Sequence, residues 1–187
     1  MAEDHPRTEK QKMIAGDLYR ADDPDLVAER ARCQAVLAEF NASLDLGRRI
    51  DLLRSLGATL EDGVDVQQPL RCDYGYNITI RAGAFVNYGA VILDCAAVTI
   101  GPGAQIGPNV QILTADHPRD PALRRSGLEL AAPIVIGANA WLGGGTIVLP
   151  GVEVGPDSIV GAGSVVTRDV AAGVVVAGSP ARLLRAL

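Results

Sequence analysis

The chain has 187 residues, of which 48% are hydrophobic and 4% aromatic, and its formal net charge is -5. An acidic balance without a basic face argues against a protein that binds nucleic acid or anionic membranes. No apolar run approaches the length of about 20 residues that a membrane span requires, and the polar residues 1–12 lack the apolar segment of a secretion signal.

The three cysteines, Cys33, Cys72 and Cys95, are odd in number and lack the spacing of metal ligands. We expect them to be buried free thiols, as is usual in a reducing compartment. The sequence therefore predicts a cytoplasmic protein without a metal site.

Residues 1–60 contain most of the long charged side chains and little glycine, and their pattern predicts a helical cap. Thr8 and Gln11 have the spacing of a capping box, which begins a short helix that we expect to end near Leu18. Because its apolar stripe needs a partner, we interpret this region as a cap on the following structure and not as an independent domain.

A second helix is predicted where Asp23, an N-cap residue type, is followed by Pro24, which is favoured in a first turn. The apolar positions that recur after it at near-helical spacing are Leu26, Val27, Val36, Leu37, Phe40 and Leu44. A third short helix is expected at residues 48–56.

From about residue 61 the period of the apolar residues changes to six. Aliphatic side chains occupy every sixth position in three runs, which are Ile80, Val86 and Ile92; Ile100, Ile106 and Ile112; and Ile136, Leu142, Val148, Val154, Val160 and Val166. This period matches neither an α-helix nor an alternating strand, and it indicates stacked repeats in which three short strands form one triangular coil. Residues 61–187 are therefore predicted to form a parallel β-helix, ending in a C-terminal tail.

One segment, residues 114–133, lacks the repeat and separates Ile112 from Ile136. The interval between these two isoleucines is a multiple of six, so we expect the coil to resume in phase after an inserted loop. A loop of this length in a compact domain usually has a function.

The inserted loop contains His117, whereas the other histidine, His5, belongs to the polar N-terminal tail. A histidine can act in turn as general base and general acid because its ordinary pKa lies near neutral pH. From the residues alone, His117 is either such a group or a solvated loop residue.

Five segments carry a resemblance to a known family. They are TEKQKMIAGDLY at 8–19, RCDYGYNI at 71–78, TADHP at 114–118, GAGSVVTRDV at 161–170 and GSPAR at 178–182. In this order they resemble the maltose and galactoside O-acetyltransferases, and the first two segments favour the maltose branch. The resemblance implies a left-handed β-helix, a homotrimer with active sites between subunits, and transfer of an acetyl group from acetyl-coenzyme A to a sugar hydroxyl, with His117 as the catalytic base.

For the sugar acceptor, the resemblance implies Asp73 and Asn87 as binding residues, with Asp94 a weaker candidate. Each has an alternative role, because aspartate and asparagine also cap turns and occupy the corners of coils. The galactoside enzymes have an acidic residue where this chain has Cys95 and a tyrosine where it has Phe85. These two differences argue against a galactoside as the acceptor.

For coenzyme A, the expected contacts are Trp141, Gly144, Ala162, Thr167, Arg168, Arg182 and Arg185. Arginine suits the phosphates of this ligand, and small residues let its flexible arm approach the backbone. Arg185 is equally consistent with ordinary surface charge. An outward-facing Trp141 is expected either in the coenzyme A groove or in the contact between subunits.

Three other functions were weighed against this one. A γ-class carbonic anhydrase uses the same coil, but its zinc requires three histidines and this chain has two. The same fold could acetylate another acceptor, such as a different sugar, a lipo-oligosaccharide, or an amine or antibiotic hydroxyl. A non-catalytic trimeric scaffold remains open, although it would have no use for His117 or the C-terminal arginines.

Overall fold

The computed structural model describes residues 6–187, so His5 lies outside the described residues. The helices in this part of the chain are Glu9–Ala15 (α1), Pro24–Ala42 (α2), Leu46–Ser55 (α3) and Pro121–Arg125 (α4). Within residues 6–187, none of these helices is both long and apolar enough to cross a bilayer.

The helix boundaries follow from local side-chain chemistry. The Thr8 hydroxyl accepts from the Gln11 N–H at 3.2 Å, and the Gln11 amide oxygen accepts from the Thr8 N–H at 2.9 Å, so the predicted capping box is confirmed. α1 ends before the expected Leu18 because Gly16 has a φ of 77°, which terminates the helix. The Asp23 carboxylate caps α2 by accepting from two N–H groups of its first turn.

After the cap, the chain forms a prism whose three faces consist of short stacked strands. The first face contains Thr59–Leu60, Ile78–Ile80, Val98–Ile100, Ile134–Ile136 and Glu153–Val154. The second contains Asp65–Val66, Phe85–Val86, Gln105–Ile106, Trp141–Leu142, Ile159–Val160, Val174–Gly178 and Ala181–Ala186. The third contains Leu70–Cys72, Ala90–Leu93, Gln111–Leu113, Ile147–Val148 and Val165–Val166. Strands in each face pair in parallel, apart from the final antiparallel pair of the second face.

The sixfold aliphatic positions form continuous ladders inside the prism. On the second face, for example, Leu142 is paired with Ile106 in the coil before it and with Val160 in the coil after it. These side chains are at most 1% exposed. Burying an aliphatic side chain of this size contributes about 1.5–3 kcal/mol, so the repeat provides most of the core. The predicted parallel β-helix of six-residue repeats with an N-terminal helical region is confirmed.

Adjacent coils approach each other closely at the turns. Asn109, Asn139 and Asp157 lie in turns with positive φ values of 56°, 54° and 58°, which these residue types tolerate better than branched ones. A Cβ atom at Gly143 would lie 2.5 Å from the backbone nitrogen of Ala162 in the next coil. This contact explains why glycine follows the inward aliphatic residue in the repeat.

α2 and α3 cover the N-terminal end of the prism. Phe40 is buried in the same core as Val66, and the Arg49 guanidinium, itself 4% exposed, donates to the Val66 carbonyl at 3.0 Å. The predicted apolar stripe is wrong at Val27 and Leu44, which are 47% and 88% exposed. Val27 lies on the side of α2 that faces away from the coil, and α2 has already ended before Leu44.

The cysteines are buried free thiols, as predicted from their number and spacing. Cys33 of α2 and Cys72 of the third face have their Sγ atoms 3.6 Å apart. Both side chains therefore contribute to the packing of the cap on the coil.

The inserted segment contains regular structure in addition to loops. Its strands Ala115–Asp116 and Leu128–Ala131 pair antiparallel, with α4 between them. Leu128–Ala131 also pairs with Tyr19–Arg20 of the cap. The insertion is therefore joined to the N-terminal region by a small sheet that lies outside the prism.

Candidate active site

A cavity of about 260 Å³ opens where the insertion, the cap and the third face of the prism meet. Its lining residues are Tyr19, Ala21, Arg30, Asp73, Tyr74, Leu93, Cys95, Ala115, His117 and Glu129. An imidazole, two carboxylates, a guanidinium and two phenols therefore converge on a small volume. Of the residues predicted from the sequence, His117 and Asp73 share this cavity, which we call the His117 cavity.

His117 follows directly after the strand Ala115–Asp116, and its side chain is exposed. Its backbone N–H donates to the Asp116 side chain at 2.8 Å. The strand is held by Leu128–Ala131, which is held in turn by Tyr19–Arg20. The small sheet thus positions the imidazole at the mouth of the cavity, although the segment interrupts the repeat.

Glu129 is a second acidic group in the His117 cavity, and it is not among the site residues predicted from the sequence. Tyr19 lies opposite it in the paired strands and donates its hydroxyl proton to Glu129 Oε2 at 3.1 Å. Burial raises the pKa of Tyr19, so its hydroxyl remains a donor at neutral pH. The residues LELA at 128–131 could have indicated a strand, but Tyr19–Arg20, one of the two strands with which it pairs, is about a hundred residues away.

Asp73 is half-buried in the same cavity. Burial raises the pKa of its carboxyl group, while the Cys95 thiol, which donates to it at 3.5 Å, and the nearby Arg30 act in the opposite direction. Burial also raises the pKa of Cys95 to about 12. Cys95 is therefore protonated at neutral pH and poorly suited to act as a nucleophile.

Asp94, the third residue expected at the acceptor, is held by backbone N–H groups. The side chain is fully buried, and one carboxylate oxygen accepts from the N–H groups of Asp73 and Tyr74 at 3.0 and 2.9 Å. The other accepts from Gly75 and Asn77 at 2.7 and 3.4 Å. Burial raises the pKa of Asp94 to about 6, against the effect of these donors. Its oxygens accept from the backbone, so Asp94 shapes the turn that carries Asp73.

Asn87 lies in a separate cavity of about 220 Å³ on the second face of the prism. This cavity is also lined by Phe85, Trp141 and Gly144. Trp141 points outward, as its position in the repeat predicts, and is 52% exposed. Within one chain, the structure therefore groups Asn87 with two of the expected coenzyme A residues and not with His117.

A third cavity of about 240 Å³ lies at the C-terminal end of the prism. Arg168 and Arg182 both line it, together with valine and alanine side chains. Thr167, which precedes Arg168, is exposed, and Arg185 is exposed on the last strand. Ala162 is also exposed and stacks on Gly143 of the neighbouring coil. Two guanidinium groups beside an apolar wall provide the chemistry that a nucleotide phosphate and its base require.

Two family models match the chain. The maltose acetyltransferase hexapeptide capping motif matches residues 12–56. The bacterial transferase hexapeptide, a model of six repeats, matches residues 133–168. The first match contains α2 and α3 of the cap, and the second contains the last coils of the prism.

Similar proteins extend over almost the whole chain. Nodulation protein L from Rhizobium meliloti (strain 1021) is 50% identical over 95% of this chain and 98% of its own. A maltose O-acetyltransferase from Clostridium difficile 630 is 42% identical, with a TM-score of 0.94 over 98% of this chain and 99% of its own. A hexapeptide-repeat acetyltransferase from Vibrio cholerae, solved with acetyl-coenzyme A, is 37% identical, with a TM-score of 0.89 over 97% and 99% of the two chains.

Proposed function

We propose, because the chain belongs to the hexapeptide-repeat sugar acetyltransferases, that it transfers the acetyl group of acetyl-coenzyme A to a hydroxyl of a small sugar of the maltose or glucose type. Acetyl transfer from coenzyme A follows from the family, whereas the acceptor and the catalytic base are our inference. The observation that carries this inference is the exposed His117 at a cavity that also contains the carboxylates of Asp73 and Glu129.

In this mechanism His117 removes the proton of the sugar hydroxyl as the oxygen attacks the thioester carbonyl. The carbon–sulfur bond then breaks, and the imidazolium returns its proton to the departing thiolate of coenzyme A. Asp73 and Glu129 stabilise the positive charge that the imidazole carries between these steps. The transfer is direct, since the Cys95 thiol, which lines the same cavity, is protonated and is unreactive as a nucleophile in that form.

Coenzyme A is proposed to bind along the coils on the second face and at the C-terminal end. Its phosphates would contact Arg168 and Arg182, which line one cavity, and its arm would run towards the cavity of Trp141. The other residues assigned to this groove are Gly144, Ala162, Thr167 and Arg185. The exposed ring of Trp141 would then be covered by the ligand.

The sugar site is proposed to be completed by association of three chains. The third face of the prism presents several apolar side chains outward beside Arg71 and Gln111, and clustered apolar surface of this kind marks an interaction site. These partly exposed side chains are Val91, Leu93, Leu113, Ile147, Leu149 and Val165. A threefold arrangement around this face would bring Asn87 of one subunit towards His117 of the next, which a single chain keeps apart.

Replacing Leu113 with Asp is expected to dissociate the trimer, because the ionised side chain cannot be buried in the apolar contact. Light scattering during gel filtration should give a mass near three times 19.5 kDa for the unmodified protein and near 19.5 kDa for the variant. The same change at Thr99, on the first face, should leave the mass unchanged. A monomeric unmodified protein would contradict the proposed assembly.

Replacing Arg182 with Ala is expected to raise the KM for acetyl-coenzyme A about tenfold, since a charge-assisted hydrogen bond to phosphate contributes about 1.5–3 kcal/mol. The acceptor KM should change little. Arg81→Ala is the matched control because Arg81 is also exposed but pairs with Glu61, away from all three cavities. An unchanged KM for acetyl-coenzyme A in Arg182→Ala would place the phosphates elsewhere.

The acceptor itself is identified by incubating the protein with acetyl-coenzyme A and a panel of sugars, while following release of the coenzyme A thiol. Maltose and glucose should give the highest kcat/KM, and galactosides should give lower values because Cys95 and Phe85 replace the residues of the galactoside enzymes. A preference for amines or antibiotics over every sugar would reject the proposed acceptor class.

A further inference from the structure

Tyr74 and Tyr76 lie in the turn between the strands Leu70–Cys72 and Ile78–Ile80, and Tyr19 of the cap packs in the same cluster. Two of these three tyrosines use their hydroxyl groups in the same way. Tyr19 donates to Glu129 at 3.1 Å, and Tyr76 donates to Glu29 Oε2 at 2.8 Å. A carboxylate only accepts when ionised, so the single proton of each hydroxyl is committed to it.

Tyr74 differs because its hydroxyl oxygen accepts a hydrogen bond from a cation. The Arg30 guanidinium donates to it at 2.6 Å. Arginine has donors only, so Tyr74 must be the acceptor in this pair and its own proton remains available. Among residues 6–187, no protein group accepts that proton. Burial raises the pKa of Tyr74, which keeps the hydroxyl protonated at neutral pH.

Arg30 is itself held in a fixed position. Its second terminal nitrogen donates to the Ala21 carbonyl at 2.6 Å, and its backbone belongs to α2. The two hydrogen bonds fix the planar guanidinium of Arg30 in one orientation. The guanidinium therefore approaches the Tyr74 oxygen from one side, and the hydroxyl proton must point to another. The Tyr74 ring is 2% exposed, so its orientation is fixed by packing.

The hydroxyl end of Tyr74 lies beside the His117 cavity. Tyr74 lines this cavity and also a smaller one shared with Tyr76, but Arg30, which lies at the hydroxyl end of Tyr74, lines only the His117 cavity. Asp73, the preceding residue, supplies an acceptor in the same cavity. One donor and one acceptor at adjacent residues are the pair required to bind two neighbouring oxygens of a sugar.

We propose that Tyr74 is an acceptor-binding residue that donates a hydrogen bond to a sugar oxygen, and that Arg30 is the positioning residue that directs this donor. The inference rests on the proposed function, because it requires the acceptor to occupy the His117 cavity. It adds a specificity determinant to the site. Sugars with an oxygen opposite Tyr74 bind, and analogues that lack this oxygen leave a buried donor unpaired.

The test compares Tyr74→Phe with Tyr76→Phe. The two changes remove the same hydroxyl from neighbouring residues, but only Tyr74 lines the His117 cavity. For the best acceptor found in the panel, Tyr74→Phe should raise the acceptor KM about tenfold, which is about 1.4 kcal/mol, without changing the KM for acetyl-coenzyme A. Tyr76→Phe should leave both values unchanged. Equal effects of the two variants on the acceptor KM overturn the inference.

A series of monodeoxy acceptors separates binding from a structural effect. For the unmodified enzyme, one deoxy position should cost about tenfold in kcat/KM, and Tyr74→Phe should remove the penalty at that position only. If every deoxy analogue loses the same factor in both enzymes, Tyr74 does not contact the sugar and the proposal fails.

The role of Arg30 is tested by Arg30→Gln, with Arg32→Gln as its control. Arg32 lies on the same helix, but its guanidinium donates to the Ser55 carbonyl outside the His117 cavity. Arg30→Gln should raise the acceptor KM alone, and its effect should not add to that of Tyr74→Phe. Additive effects would reject the positioning role.

If the unmodified enzyme acetylates no sugar, the proposed function fails. If the unmodified enzyme is active and Tyr74→Phe has no effect on the acceptor KM, only this inference fails.

Discussion

Replacing His117 with Ala is expected to lower kcat/KM for the sugar by between about a hundredfold and ten-thousandfold, which is the usual contribution of a general base. An alcohol is a weak nucleophile at neutral pH, and within the His117 cavity no other described group combines exposure with the ability to accept and return a proton. The measurement is the initial rate of coenzyme A release at saturating acetyl-coenzyme A. The KM for acetyl-coenzyme A should change little, because its proposed contacts lie on other parts of the coil.

The fold should tolerate this change. The His117 side chain is exposed, and the strand before it is held by backbone hydrogen bonds that alanine preserves. Arg119→Ala is the matched control, since Arg119 is an exposed residue of the same loop whose guanidinium pairs with Asp116. It should retain nearly full activity. A His117→Ala variant with a near-normal rate and a normal melting temperature would exclude His117 as the base.

The β-helix could be predicted from the sequence because its repeat is short and is defined by residue type. Every sixth residue must be aliphatic to fill the prism, so Ile136 and Leu142 indicate the period before any contact is known. The antiparallel pairing of Tyr19–Arg20 with Leu128–Ala131 could not be predicted in the same way. That sheet has no period, and its strands are widely separated in the sequence.

The site residues likewise divide into those that short motifs predict and those that depend on tertiary contacts. His117 and Asp73 could be identified from short motifs, and the structure groups them in one cavity. Glu129 was missed because its role depends on the strand pairing of the insertion. The surroundings of Asp94 could not be predicted, because an aspartate in a motif gives no sign of whether it faces a ligand or accepts from four backbone N–H groups. Burial and hydrogen-bond partners depend on the tertiary structure, and residue type alone does not predict them.

Replacing Leu142 with Ala is expected to lower the free energy of unfolding by about 2–5 kcal/mol, the usual cost of removing a buried leucine side chain. Leu142 is fully buried between Ile106 and Val160 in the ladder of the second face. The strands above and below it are joined to it by backbone hydrogen bonds, so the coils cannot close over the missing atoms and a cavity remains. Urea denaturation at one fixed protein concentration measures the change, since association also contributes to stability.

The control is Leu44→Ala, which removes the same atoms from a side chain that is 88% exposed and should change the free energy of unfolding by less than about 0.5 kcal/mol. The comparison tests which residues of the repeat point inward, because a shift of one residue would bury Trp141 and expose Leu142.

Trp141 and Gly144 lie close to Leu142 in the sequence and line the proposed coenzyme A groove. We therefore expect Leu142→Ala also to raise the KM for acetyl-coenzyme A, while Leu44→Ala does not. Equal stability of the two variants would mean that the sixfold aliphatic ladder does not form the core.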